Sequence, residues 1–390
     1  MKRTRFARRG GLTRDAEQLV WLATGLSQSG SRIEDDYWEA KLIEIIDRLL
    51  RAGNEDGLNA ALDHLYRANG RAYDDLADLI EARAEGGLLA TEGGNIDVTL
   101  IAMPVLAWSR YSIPCTSISS ALLANARVQL QAHVLAAGVR LGLADHLYSP
   151  DQLPHGYSET RALAEKLTAA AIESRDFPVD SRRLPETAQY LSDMRYLLGV
   201  AVVTHGQPLF RWQEPDGSRE HAASQWRAQG GAVLQPLFAG CALELVKPDA
   251  FHAACREADR QLRPYALRAS VAYLQTALNL TPAGLRAVVA PFAERRLEEY
   301  RVGFTLSEGN EVVHGVVWPL LDAEDETTDT AGQIDAILRE TGIGEVVILE
   351  HSFPLEYCDD CGGPLYPDPD GHTVHAEMPE QSEAPPAHLH

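Results

Sequence analysis

The sequence predicts an α+β protein built from a helical amino-terminal region, two related α+β units and a zinc-knuckle hairpin at the carboxyl end. Three observations predict it: amphipathic helical segments closed by glycine up to about residue 90, β-type runs alternating with helical periods from about residue 97, and a Cys-x-x-Cys turn late in the chain. At 390 residues the chain exceeds the size at which a single hydrophobic core usually stops growing. Its 45% apolar and 23% charged residues are an ordinary soluble composition.

The expected organisation is a basic arm (1–14), a helical region (15–95), a first α+β unit (96–228), a second (229–356), the Cys-x-x-Cys hairpin (357–378) and a polar, proline-rich tail (379–390) that should be disordered. In the helical region, Ser31 and Glu34 of "SRIEDDYWEAKLIEIIDRLL" have capping-box spacing, and Ile33, Tyr37, Leu42, Ile45, Ile46 and Leu49 recur roughly at helical period. Gly53 stops that helix, and "LNAALDHLYRANG" and "AYDDLADLIEARAEGG" supply two more.

The two α+β units read as one order of elements used twice. The first has a strand "VTLIAMPVLAW", a helix "SISSALLANARVQLQAHVL", a strand around "VRLGLADHLYSPDQL", helices within 159–197 and a hairpin "LLGVAVVTHGQPLFRW". The second has "AVLQPLFAGCALEL", a helix "DAFHAACREADRQLR", a strand around "ALRASVAYLQ", a helix "TPAGLRAVVAPFAERRLEEY" and a hairpin "RVGFTLSEGNEVVHGVVWPLL". Pro104, Pro236 and Pro319 fall inside strand-like runs, where a residue without an amide proton belongs at a bulge or an edge. A helix "TAGQIDAILRETG" and a strand "EVVILEHSFPLEY" then lead to the cysteines.

"CDDCGGPLYPDPDGHTVHAEMPE" carries the chemistry. Two thiolates three positions apart, followed by glycine, can converge on one zinc ion at about 2.3 Å. "PDPDG" is turn chemistry, so "PLYP" and "HTVHAE" should form the arms of a hairpin. On one strand His372 and His375 are an odd number apart and point to opposite faces, and His375 lies further back toward the cysteines. The expected ligands are Cys358, Cys361 and His375. The fourth is open between His372 after a bulge, His351, Asp360, Glu377, a distant cysteine and a residue of another subunit. Cys115, Cys241 and Cys255 sit in apolar segments and read as small buried hydrophobes.

Net charge is −21, yet Lys2, Arg3, Arg5, Arg8, Arg9 and Arg14 precede the first acid, so everything after them is more acidic still. Such a body repels nucleic acid except where a local basic feature overrides it. The arm therefore fits either RNA or ribosomal phosphates, through Lys2, Arg3, Arg5, Arg8 and Arg9, or the acidic surface of this chain or a neighbouring copy. No apolar run approaches the ~20 residues that span a bilayer, and Asp15 and Glu17 interrupt the stretch an export signal would need. A cytoplasmic address is expected. Walker lysine loops, G-x-G-x-x-G after a strand, H-E-x-x-H and G-x-S-x-G are all missing.

The segments "SGSRIEDDYWEAKL", "QPLFRWQE", "QWRAQGG", "LRAVVAPFAERRLEEYRVGFT", "HGVVWPLL" and "FPLEYCDDCGGPLYPDPDGHTVHAEMPE" together resemble a bacterial, chiefly betaproteobacterial family known only as a domain of unknown function. That resemblance runs over nearly the whole chain and implies a cytoplasmic bacterial protein without supplying an activity. The expected function is a non-catalytic zinc-binding scaffold or binding protein that self-associates as a homo-oligomer. The alternatives are an RNA- or ribosome-associated protein and a metal-dependent hydrolase with water at an open zinc position.

Overall fold

In the computed structural model, which describes residues 11–379 apart from 174, 322 and 323, four helices come first: α1 (Arg14–Ser27), α2 (Arg32–Arg51), α3 (Asp56–Ala68) and α4 (Gly70–Glu85). Thr13, Ser31 and Asn69 each accept a first-turn amide and so start α1, α2 and α4. Ser31 takes the Glu34 amide, while the Glu34 carboxylate reaches back to Gly30 rather than to Ser31. Leu19, Leu42, Ile46, Leu58, Leu76 and Ile80 close the core of this bundle. Ile33 and Tyr37, expected on the apolar stripe of α2, stand 83% and 56% exposed ahead of it.

The chain then enters a first sheet: β1 (Gly86–Thr91), β2 (Gly94–Trp108), α5 (Ser120–His133), β3 (Arg140–Tyr148), α6 (Tyr157–Ile172) and β4 (Ser192–Thr204). The strand order is β1-β2-β4-β3, antiparallel throughout. Short helices α7 (Arg219–Gln225) and α8 (Gly231–Leu234) precede β5 (Ala242–Leu245) and β6 (Asp249–Ala250), which both return to pair with β2. One edge of β2 thus runs against β4, and the other is shared by β1, β6 and β5. Pro104 lies at the gap between β6 and β5, where its carbonyl accepts from Val246.

Helix α9 (Phe251–Leu278) leads to a second sheet: β7 (Leu285–Ala293), β8 (Leu297–Leu306), β9 (Val312–Pro319), α10 (Thr330–Glu340) and β10 (Glu345–Ile348). Its order is β10-β7-β8-β9, with β10 parallel to β7. Pro319 ends the edge strand β9. The first half of α9 buries Phe251, Ala254 and Ala258 against the first sheet, and the second half buries Leu267, Val271 and Leu274 against the second. A hairpin of β11 (Tyr366–Pro367) and β12 (Thr373–Val374) closes the described chain.

The architecture is mixed α+β, but the expected repeat of one unit is corrected. "ALRASVAYLQ" is helical, because Tyr265, Leu267, Ala269 and Val271 alternate like a strand while Leu267, Val271 and Leu274 share one helix face. "TPAGLRAVVAPFAERRLEEY" forms β7 and β8. Leu285 and the run Ala287–Ala290 are buried on both faces of the sheet, which erases the alternation that marks a strand. In "AVLQPLFAGCALEL" only the end is a strand. Trp226, Gly230, Leu234 and Phe238 form a buried stripe four residues apart, and Pro236 sits in a helical turn. The expected hairpin "LLGVAVVTHGQPLFRW" is the single strand β4 followed by a turn and a short helical segment.

Acids of the helical bundle fasten it to the sheets. Asp47 accepts both arms of Arg83 at 2.9 Å and Arg161 of α6 at 3.0 Å. Burial raises its carboxyl, but Arg83 and then Arg161 outweigh that and hold it below the ordinary range. Glu55 accepts the Ser158 amide at the start of α6, and Glu85 the His252 amide at the start of α9. Among the described residues no helix is long and apolar enough to cross a membrane.

Glu85 sets a pH dependence. Burial pushes its carboxyl up to about 7, against the His252 amide, which lowers it. Between about pH 4.5 and 7 the folded chain therefore holds a proton that the unfolded chain has lost, and stability falls as pH rises through that window. Glu85→Gln keeps an acceptor for the His252 amide and removes the ionisation. Calorimetry should find it more stable than wild type at pH 8, by up to about 3 kcal/mol, with the difference gone at pH 4.

Candidate metal centre

The cysteine segment is held from below by Arg301 of β8. This guanidinium is fully buried. It pairs with Glu299 at 2.6 Å and donates to the carbonyls of Glu356 and Leu365, each at 2.7 Å. Those two carbonyls bracket the cysteine loop. Phe292 and Tyr357 stack on the guanidinium at 4.3 and 5.0 Å. Above the clamp, Leu365 donates to Glu356 and Cys358 to Gly363, and Gly362 donates back to Cys358.

The loop offers its sulfurs in the manner of a zinc knuckle. The amides of Cys361 and then Asp360 point at the Cys358 sulfur and hold its thiol below the ordinary value. The Gly363 amide lies 3.3 Å from the Cys361 sulfur. Gly362 has a φ of 71°, a left-handed backbone that glycine takes without strain.

Two glycines position the hairpin that follows. Gly303 of β8 and Gly315 of β9 are register partners. A Cβ on Gly303 would collide with the Pro367 carbonyl, and one on Gly315 with the Tyr366 ring. The bare patch lets β11 lie directly on the sheet. Asp368 shapes the turn by accepting the amides of Asp370 and His372, and Asn310 in the β8–β9 turn donates to Asp370 at 2.9 Å. The second arm then returns past the cysteines, with Tyr366 opposite Val374.

As a result the ligand atoms of Cys358, Cys361 and His375 lie within 4.8 Å of one another, with Cys361 Sγ 3.8 Å from His375 Nδ1. Corners of a zinc tetrahedron bound by sulfur and nitrogen lie about 3.5–3.8 Å apart, so small rotamer changes would close this set on an ion. Cys358 is half-buried, and Cys361 and His375 are exposed. His372 does not join them. It stands on the other side of the arm, grouped with Asp368 and Asp370, because neighbouring side chains along a strand alternate faces. Among the described residues no fourth His, Cys, Asp or Glu completes the cysteine group: His351 faces the hairpin tip at Gly371, and Cys115, Cys241 and Cys255 lie elsewhere. Lys2, Arg3, Arg5, Arg8 and Arg9 lie outside the described residues, as does the tail from residue 380.

Sequence reasoning missed the Arg301 clamp and the Asp368–Asp370–His372 group. Arg301 binds main-chain carbonyls, which leave no trace in residue type. The second group was visible in "DPDGH", where Asp368 and Asp370 count only as turn chemistry and His372 as a candidate ligand for the cysteine group.

Fold and site together define a mixed α+β protein with a cysteine–histidine cluster beside a terminal hairpin. The chain belongs to the family described as "Protein of unknown function (DUF2863)", whose model matches residues 4–389. Neither a curated protein nor a solved structure matches it.

Truncating Arg301 should release the loop. Arg301→Met leaves the largely buried Glu299 without its cation and the Leu365 carbonyl without its donor, a loss of about 3–5 kcal/mol. Denaturant titration should show that loss, and hydrogen exchange should show residues 356–375 opening first.

Proposed function

We propose that this chain is a bacterial zinc-binding protein in which the ion ties the cysteine loop to the second arm of the terminal hairpin, within a non-catalytic scaffold or binding protein. The observation that carries the reading is the convergence of Cys358, Cys361 and His375 within 4.8 Å. Two thiolates and an imidazole are a soft donor set that selects zinc over magnesium or calcium. Main-chain amides aimed at a sulfur stabilise a permanent thiolate, which suits a ligand. The ion would cross-link residues 358–361 to residue 375, adding to a loop that Arg301 already anchors. Its fourth position would be closed by a group from another copy, which makes the protein a homo-oligomer.

The chain purified from its own cell should carry one zinc per molecule, read by elemental analysis. Cys358→Ser and His375→Ala should each remove it and lower the melting temperature, whereas His372→Ala should leave the stoichiometry unchanged. Zinc retained in both Cys358→Ser and His375→Ala would sink the assignment. X-ray absorption that finds a light oxygen ligand beside two sulfurs and one nitrogen would instead favour the hydrolytic reading.

A further inference from the structure

Cys115 occupies the loop between β2 and α5, half-buried rather than in the core. The backbone leading into it is fixed by Arg195 of β4, which is 1% exposed and donates to the carbonyls of Ile113 at 2.9 Å and Pro114 at 2.8 Å. Asp193 pairs with that guanidinium. The backbone leaving it is stitched to β3, where Leu147 donates to Thr116 and Ile118 to Asp145. The pairing of β3 with β4 breaks register between Leu143 and Leu147. Irregularities of this kind re-aim side chains, and here the residue in the break that faces the loop is His146.

His146 is 2% exposed, and its Nδ1 has no partner among the described residues. Its Nε2 lies 3.7 Å from Cys115 Sγ and 3.2 Å from Gln152 Oε1. Gln152 Oε1 also sits 2.9 Å from the sulfur. The Gln152 amide is held by Ser149 N–H on its oxygen and by the Pro185 carbonyl on its nitrogen. Both it and the Leu147 carbonyl, 3.1 Å from the sulfur, can accept the thiol proton but give nothing to a thiolate, so the imidazole is the group placed to receive and return that proton. Gln152 also lines a neighbouring cavity of about 530 Å³ with Leu153, Phe177 and Leu184, which neither Cys115 nor His146 lines, so Gln152 is the residue the thiol and the cavity share.

We propose that Cys115 is a thiol–disulfide exchange site for low-molecular-weight disulfides, with His146 handling its proton. Cys115 sulfur attacks one sulfur of the disulfide, a mixed disulfide forms at Cys115, and the other half leaves as a thiolate that takes up the proton through His146. The bond from the Cys115 sulfur forms as the sulfur–sulfur bond of the reagent breaks with its electron pair on the leaving sulfur, so the Cys115 sulfur rises to disulfide level and the leaving sulfur falls to thiol level. Burial raises the Cys115 thiol, but His146, Thr187 and the Arg195 charge outweigh it and hold the thiol below its ordinary value. Burial pushes Cys241 up, and Cys255 up to about 12. The proposal is independent of the metal centre.

The test uses the full chain as purified, treated with oxidised glutathione and separately with iodoacetamide across a pH series, with each cysteine followed by peptide mass spectrometry. Cys115 should react at least about tenfold faster than Cys241 and Cys255 at pH 7, with an alkylation midpoint below the ~8.5 of a free thiol. Cys115→Ser should fold normally and take up no glutathione at the other two. His146→Asn should slow Cys115 about tenfold at pH 7 and raise its midpoint, and an unchanged midpoint would remove His146 from the proposal. A wild-type midpoint at or above the free-thiol value, or reaction no faster than that of Cys241, overturns it. Should His146→Asn fail to fold, the wild-type profile decides alone.

Discussion

A single buried guanidinium fixes where the metal-ligand loop sits. Arg301 has Glu299 for its charge, two carbonyls for its protons and the rings of Phe292 and Tyr357 against it. Removing an arginine from water costs several kcal/mol unless its donors and its charge are both met. Here the charge is met by Glu299 and the Nε and Nη1 donors are used, while Nη2 has no partner among the described residues. This requires the chain at Glu356 and at Leu365 to lie side by side on β8, so the eight-residue return between those points is held closed before any ion arrives. The glycine pair under β11 acts in the same direction by removing the side chains that would hold the hairpin off the sheet. The donor set is therefore preorganised by the protein interior, which lowers the ordering an ion must impose.

The second structural dependence is α9. A helix of 28 residues has one half in each sheet's core, so the two sheets cannot form their buried faces independently. Pro264 falls at the changeover between the halves, where it removes one main-chain hydrogen bond from the helix. Its neighbours hold the helix at that point. Arg263 forks onto Glu324 and stacks on Trp318 of β9, and Tyr265 donates to the Ala242 carbonyl beside β5. Those contacts reach toward opposite sheets from the two residues that flank Pro264, which makes the proline a junction between two cores and not an interruption of one.

How much of this was legible follows from where each signal lies. Helices α2 to α4 are legible through the Ser31 cap, glycine stops and a one-sided stripe, because each packs one face and leaves the other to water. The same reading fails at α9 and β7. Where Tyr265, Leu267, Ala269 and Val271 are all covered, helical and strand periods coincide, and where Leu285 and Ala287–Ala290 are buried on both faces there is no period to read. The apparent repeat was built from those ambiguous runs. At the metal centre the cysteines were legible because their spacing is local, and His375 was separable from His372 because strand parity is geometric. Arg301 was not legible, since its partners are carbonyls far away in sequence.

The two cysteine environments show how surroundings assign different tasks to one residue type. At Cys358 the groups aimed at the sulfur are the main-chain amides of Cys361 and Asp360, which donate permanently and have no proton to take back. Such a setting favours a thiolate that stays a thiolate, the state an ion requires. At Cys115 the neighbours are two fixed acceptors, one imidazole and the Thr187 hydroxyl. The acceptors stabilise the protonated thiol, and the imidazole and hydroxyl stabilise the thiolate, so neither form is locked. A sulfur held between two protonation states is suited to exchange, whereas one held in a single state is suited to ligation.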